Sequence, residues 1–188
     1  MTLEEFESLL ESGIETQRLD YKGACNWDVD VFAKDILALS NVRDGGYLVM
    51  GVDETDTGYK RTGTTTEQRR TFNIDIMKDQ MNSFADPYVD FEVSFPTDRL
   101  NLQYIVVSVK EFRDIPIICK RNSRETHAGV IYFRNRNRRP ESAPVSNSYD
   151  MREIIESATV KLMRRSREFG YSVENIDEKL FNDELGGL

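Results

Sequence analysis

FAKDILALSNVRDGGYLVMGVDE, residues 32–54, decides the fold. Together with Val29, the residues Phe32, Ala33, Ile36 and Leu37 recur at helical spacing and form one apolar stripe, which Ala38 and Leu39 widen. Asp28 stands where a capping side chain is wanted, so the spacing predicts a helix over residues 29–42. Gly45-Gly46 ends it. GYLVMGV (46–52) follows, nearly continuous in apolar residues, which is the pattern of a central strand covered on both faces. That strand runs into Asp53-Glu54, so an element buried in the core delivers two carboxylates at its carboxyl end.

Working outward, residues 2–11 predict a short helix with Thr2 as its cap and Leu3, Phe6, Leu9 and Leu10 on one face. Residues 18–23 then alternate, Leu19 and Tyr21 to one side, Arg18, Asp20 and Lys22 to the other, as in a half-buried strand. Beyond the central strand, residues 55–66 read as a hairpin or loop, and 68–84 as a helix presenting Phe72, Ile76, Met77, Met81 and Phe84. VDFEVSF (89–95) and QYIVVSV (103–109) are strands joined by a turn. Residues 116–120 and 130–134 look like another pair. A last helix over about 150–167 has Asp150 as candidate cap. This order predicts one α+β domain, a mixed sheet flanked by helices, over residues 1–168, followed by an acidic C-terminal tail, 169–188.

The chain has 188 residues, 39% hydrophobic and 31% charged, enough for one domain with a sizeable core. No apolar run approaches the roughly 18 residues of a membrane span. The acidic start, MTLEEFESLLE, is unlike a signal or transit peptide. Two cysteines, Cys25 and Cys119, are too few for a disulfide scaffold, and with the single His127 they cannot make a four-ligand zinc site. The expectation is a reduced, cytoplasmic protein. The net charge of −8 is unevenly spread: residues 110–139 carry nine Lys or Arg against three acids, between acidic ends. A local basic patch of this kind is compatible with a polyanion.

The stretch ETQRLDYK (15–22) places Glu15 before and Asp20 within one strand, and Glu54 ends another. Three carboxylates brought together would repel unless a cation compensates. Mg²⁺ or Mn²⁺ does this with oxygen ligands and would activate water for phosphodiester cleavage, with Lys22 neutralising a phosphoryl oxygen. The competing reading is a set of surface acids flanking turns. RNRNRRP (134–140) gathers Arg134, Arg136, Arg138 and Arg139, and alternation sends the first three to one face. They are read as phosphate contacts, against a solvated basic loop. Tyr132 and Phe133 read as core, and Trp27 as a packing residue. His127 has no second histidine for acid–base cleavage. GVDETDTG (51–58) lacks the Gly-Lys-Ser/Thr ending of a phosphate loop.

SGIETQRLDYK, then FAKDILALSNVRDGGYLVMGVDE, then GVIYFRNRNRRPESAP, in this order, resemble the Schlafen family, in its AlbA-like core domain, over residues 12–160. The resemblance implies nucleic-acid binding, and for some members metal-dependent cleavage of transfer RNA. It carries the acidic triad onto Glu15, Asp20 and Glu54, with Asp and Glu exchanged at two of the three, and the family lysine onto Lys22. Animal relatives have two such lobes and a zinc set that this chain lacks, so a homodimer is expected to restore a two-walled groove. The sequence therefore points to an Mg²⁺- or Mn²⁺-dependent endoribonuclease acting on RNA, transfer RNA favoured. A non-catalytic DNA-binding or regulatory module is the second reading, and a protein-interaction component with the acidic tail as contact the third.

Overall fold

The computed structural model describes residues 2–56, 58–136 and 140–170. Helix α1 (Leu3–Glu11) opens with a capping box, in which Thr2 accepts from the Glu5 N–H while the Glu5 side chain accepts from the Thr2 N–H. Strand β1 (Leu19–Lys22) leads to α2 (Val29–Ser40), capped by Asp28. Strand β2 (Gly46–Met50) and the hairpin β3 (Val52–Thr55) with β4 (Gly58–Arg61) come next. Then come α3 (Thr66–Thr71), α4 (Ile74–Asn82), β5 (Ala85–Asp86), β6 (Phe91–Ser94) and β7 (Ile105–Val109). Strands β8 (Ile118–Cys119), β9 (Tyr132–Arg134) and β10 (Ser142–Pro144) precede the long α5 (Ser148–Glu168).

The central sheet has the order β1-β2-β7-β6. β1 and β2 are parallel, with Asp20 opposite Leu48 and Lys22 opposite Met50, and the other pairs are antiparallel. The sheet is thus mixed and the fold α+β. β2 is covered on both faces. Leu48 and Met50 join Phe32, Ile36 and Leu37 in the larger core, while Val49 joins Phe6, Leu19, Tyr21 and Val106 in a smaller core beneath α1.

Four boundaries differ from the expectations, each for a local reason. The strand over 46–52 breaks at Gly51, whose φ of +104° and close approach to the Gly63 backbone redirect the chain into the hairpin. The helix over 68–84 divides because Asn73 caps α4, accepting from the Asp75 and Ile76 N–H groups, while Phe72 turns into the core. The segments 116–120 and 130–134 are linked by one backbone hydrogen bond, from the Cys119 N–H to the Val130 carbonyl, with the Gly129 N–H donating to the Cys119 carbonyl just before the second segment, but their strands pair elsewhere, β8 with β5 and β9 with β10. Asn147, not Asp150, caps α5, its Oδ1 accepting the Asp150 N–H at 2.9 Å. Trp27 packs as expected, stacked on Phe32 with centroids 5.2 Å apart. No helix among the described residues is long and apolar enough to cross a membrane.

Candidate functional site

Asp20 and Lys22 do share one face of β1, but that face meets α2, while Leu19 and Tyr21 enter the core under α1. Both sides of the strand are therefore covered, and the charges are drawn into the interior. Lys22 Nζ lies 2.7 Å from Asp20 Oδ2 and 2.9 Å from Asp35 Oδ2 on α2. Arg134, at the end of β9, approaches from the other side, 3.0 Å from Asp20 Oδ1 and 3.5 Å from Glu15 Oε2. Its guanidinium also donates to the backbone carbonyls of Thr16 and Leu19, at 3.0 and 3.3 Å. Glu15 in turn accepts the Tyr21 N–H at 2.9 Å, satisfying an outward-facing donor of this edge strand.

Arg134 is only 2% exposed. This corrects its reading as a phosphate contact: β9 ends at Arg134, and the cost of burying a guanidinium is met by two carboxylates and two carbonyls. The alternation expected for the arginines also lapses there, because Arg136 lies beyond the strand and is exposed. Arg138 and Arg139 lie outside the described residues.

The network separates the two acids in proton affinity. Burial, reinforced by the hydrogen bond and charge of Asp20, pushes the Glu15 carboxyl up to about 7. Burial works against ionisation of Asp20 too, but the charges of Lys22 and Arg134 outweigh it and hold Asp20 below the usual carboxylate range. Lys22 is held protonated, since Asp35 and Asp20 more than offset its desolvation.

Glu54 does not join this pair. It is exposed on the β3–β4 hairpin, opposite Tyr59. Asp53 Oδ1 lies 2.9 Å from where a side chain on Gly23, just past β1, would begin, while Glu54 shares with Glu15 and Asp20 the charge surroundings of Tyr59, which packs on Tyr21 of β1. Among the described residues no three carboxylate, histidine or cysteine side chains converge closely enough to hold a metal ion. The Glu15–Asp20 pair already has two fixed cations beside it. As arranged, these residues do not fit a three-carboxylate Mg²⁺ or Mn²⁺ site.

A second locus lies where the end of α2, the segment after β9 and the start of α5 meet. Arg43, Arg136, Arg152 and Tyr149 line one recess with Glu153 and Glu156. Arg136 donates to Glu153 at 2.7 Å and to Gln17 at 2.9 Å. Arg43 and Arg152 are exposed and have no ion-pair partner among the described residues, and Tyr149 is 64% exposed. Only Arg136 of this group was legible as a site residue, from the density of arginines around it. Arg43 is remote in sequence from Tyr149 and Arg152, which are neighbours on the first turns of α5, and the three carry no motif. Asp35 and Asn41 were missed for the opposite reason, being polar positions inside an apolar helical stripe. Asn41 is a buried hub, donating to the Ile117 and Tyr132 carbonyls at 2.9 Å each and accepting the Ile117 N–H at 2.8 Å.

The family model described as Schlafen, AlbA_2 matches residues 15–141, which contain β1, α2, β2 and β9. Among solved structures, the DIP2311 protein from Corynebacterium diphtheriae is similar, with a TM-score of 0.51, 17% identity, and coverage of 80% of this chain and 27% of that one. The N-terminal domain of a RecG-related protein from Nitrosomonas europaea has a TM-score of 0.49 and 23% identity over 68% of this chain and 86% of that one. This chain thus spans about a quarter of the first of these relatives. No curated protein matches the chain.

Proposed function

This chain belongs to the Schlafen AlbA_2 family, and from that premise we propose that it binds nucleic acid through the sugar–phosphate backbone at the recess of Arg43, Arg136, Arg152 and Tyr149. One observation carries the reading. Arg43 and Arg152 stand exposed without a carboxylate partner among the described residues, beside an exposed aromatic ring in the same recess. Unpaired guanidinium groups take phosphate oxygens as bidentate partners, and a tyrosine face stacks on any base. Arg136 would exchange Glu153 for a phosphate, and the adjoining segment adds Arg138 and Arg139 to the chain's basic content. RNA is favoured over DNA as the partner through the family likeness. A second protomer opposing the same surface across a two-fold axis would turn one shallow wall into a groove.

The test is titration of transfer RNA, duplex DNA and single strands at several salt concentrations. The double substitution Arg43→Ala, Arg152→Ala should weaken binding similarly for all sequences. It should flatten the log–log salt slope by roughly 1.4 to 1.8, at 0.7 to 0.9 for each lost phosphate contact. An unchanged slope would overturn the assignment of the surface.

Cleavage of bound RNA is the finer reading, and one observation favours it. The proton affinities of Glu15 and Asp20 are pushed apart, as in an acid–base pair, and the Glu15 side chain keeps 21% exposure. Near neutral pH Glu15 would take a proton at its carboxylate, while Asp20 stays ionised against Arg134 and Lys22. Incubation of transfer RNA with the protein, with Mn²⁺, Mg²⁺ or EDTA, tests this. Glu15→Gln should remove cutting and spare affinity; intact RNA under every condition leaves the binding reading alone.

A further inference from the structure

The side of α5 turned to solvent is complementary to itself. Only Ile154 and Ser157 of this 21-residue helix are fully buried. Away from them, Val160 and Met163 are exposed by 51% and 46%. A recess of about 480 Å³ over these two is lined by Val160, Met163, Arg164, Arg167 and Glu168, so α5 alone supplies its walls. Glu156, Val160, Met163 and Arg167 follow one another at intervals of four, three and four residues, the spacing of a seam along which two helices pack.

This seam has an apolar centre, an acid at its N-terminal end and a base at its C-terminal end. The ion pairs that α5 makes with the body run through Glu153, Lys161 and Arg165, which meet Arg136, Glu111 and Asp114. Glu156 and Arg167 are exposed, and neither has an ion-pair partner among the described residues. Opposite charges at the two ends of one apolar strip are what an isologous contact requires, because each end then meets the other end of the partner.

We propose that this face docks a second copy of the chain, α5 against α5 and antiparallel. A two-fold axis midway between Val160 and Met163 sets Val160 on the partner's Met163 and Glu156 on the partner's Arg167, each contact occurring twice. A parallel pair would set Glu156 on Glu156 and Arg167 on Arg167, and like charges disfavour it. From Glu156 to Arg167 the seam is about 17 Å long at the rise of an α-helix. That is short beside a standard interface of about 800 Å² per partner, so the dimer is weak and forms as concentration rises. Glu156 also lines the recess of Arg43 and Arg152, where the partner's Arg167 would neutralise a carboxylate that repels phosphate. This consequence rests on the nucleic-acid reading above, whereas the pairing itself does not.

Sedimentation equilibrium of the full chain without nucleic acid, from micromolar to millimolar concentration, tests the pairing. The wild-type mass should rise from one chain toward two. Glu156→Arg or Arg167→Glu alone puts like charges at both symmetry-related ends and should raise the dimer dissociation constant about tenfold. The exchange of both, Glu156→Arg with Arg167→Glu, makes the signs opposite again and should return the constant to within about threefold of wild type. Both positions are exposed, and rescue by the exchange separates lost pairing from lost folding. A single-chain mass at every concentration would overturn the proposal and leave the face to a partner of another sequence. A dimer indifferent to either reversal would place the contact elsewhere and overturn it too, as would an exchange that fails to rescue.

Discussion

Arg134 sits as a full positive charge in the interior, and its neighbours define what its removal costs. Arg134→Ala would leave Glu15 and Asp20 facing each other with one fixed cation fewer and would orphan the Thr16 and Leu19 carbonyls. A buried pair broken on one side costs about 3 to 5 kcal/mol, readable as a lower urea midpoint with an unchanged slope. Glu15 adds a pH signature. Its carboxyl rises from 4.5 to about 7 on folding, so between those values the folded chain keeps a proton that the unfolded chain has released. Stability should therefore be full below about pH 4.5 for this group, fall as pH rises through 7, and level off above, by about 3 kcal/mol in all. Asp20, held low, works in the opposite sense, stabilising at neutral pH and losing that contribution only in acid. Glu15→Gln should flatten the upper window and leave the acid limb, a pattern that thermal unfolding across pH distinguishes.

The element most constrained by its surroundings is the turn from α2 into β2. Gly45 has a φ of +68°, and a side chain there would begin 2.0 Å from the Val109 carbonyl oxygen; one on Gly46 would meet the Arg18 carbonyl oxygen at 2.5 Å. Gly45→Ala combines left-handed strain with overlap onto backbone that cannot retreat, and should cost about 3 kcal/mol or more in chemical denaturation. Asn41, one turn earlier, ties the end of α2 to the strand segments at Ile117 and Tyr132. Asn41→Ala leaves three buried backbone groups without their partner and should lose about 3 kcal/mol on the same measurement. Most elements were legible in the sequence, because apolar periodicity and capping residues act locally: Thr2, Asp28 and the Gly45-Gly46 pair stand where their elements begin or end. The break at Phe72-Asn73 was not, because Phe72 leaves the helix to pack on Trp27 and Phe32, and that contact is long-range.

At the scale of the molecule, charge is divided between an interior network and a surface recess. Arg43→Ala with Arg152→Ala touches neither core, so its melting temperature should stay within about 2 °C of wild type while its salt slope changes. Scanning calorimetry beside the binding titration separates that outcome from unfolding.

The sequence by itself determined the α+β class, the doubly covered β2 and the family, since burial patterns and turn residues are properties of short segments. It also marked Glu15, Asp20, Lys22 and Arg134 as residues of interest. Only the tertiary structure decided what they form together. Alternation along β1 says which residues share a face, but not that α2 covers it, so Asp20 and Lys22 read as surface charges until Asp35 and Arg134 close over them. Which arginine is buried and which is free depends on where β9 stops, and β9 stops where its guanidinium finds carboxylates contributed by residues more than a hundred positions away. Pairing of that range lies outside what local periodicity can encode.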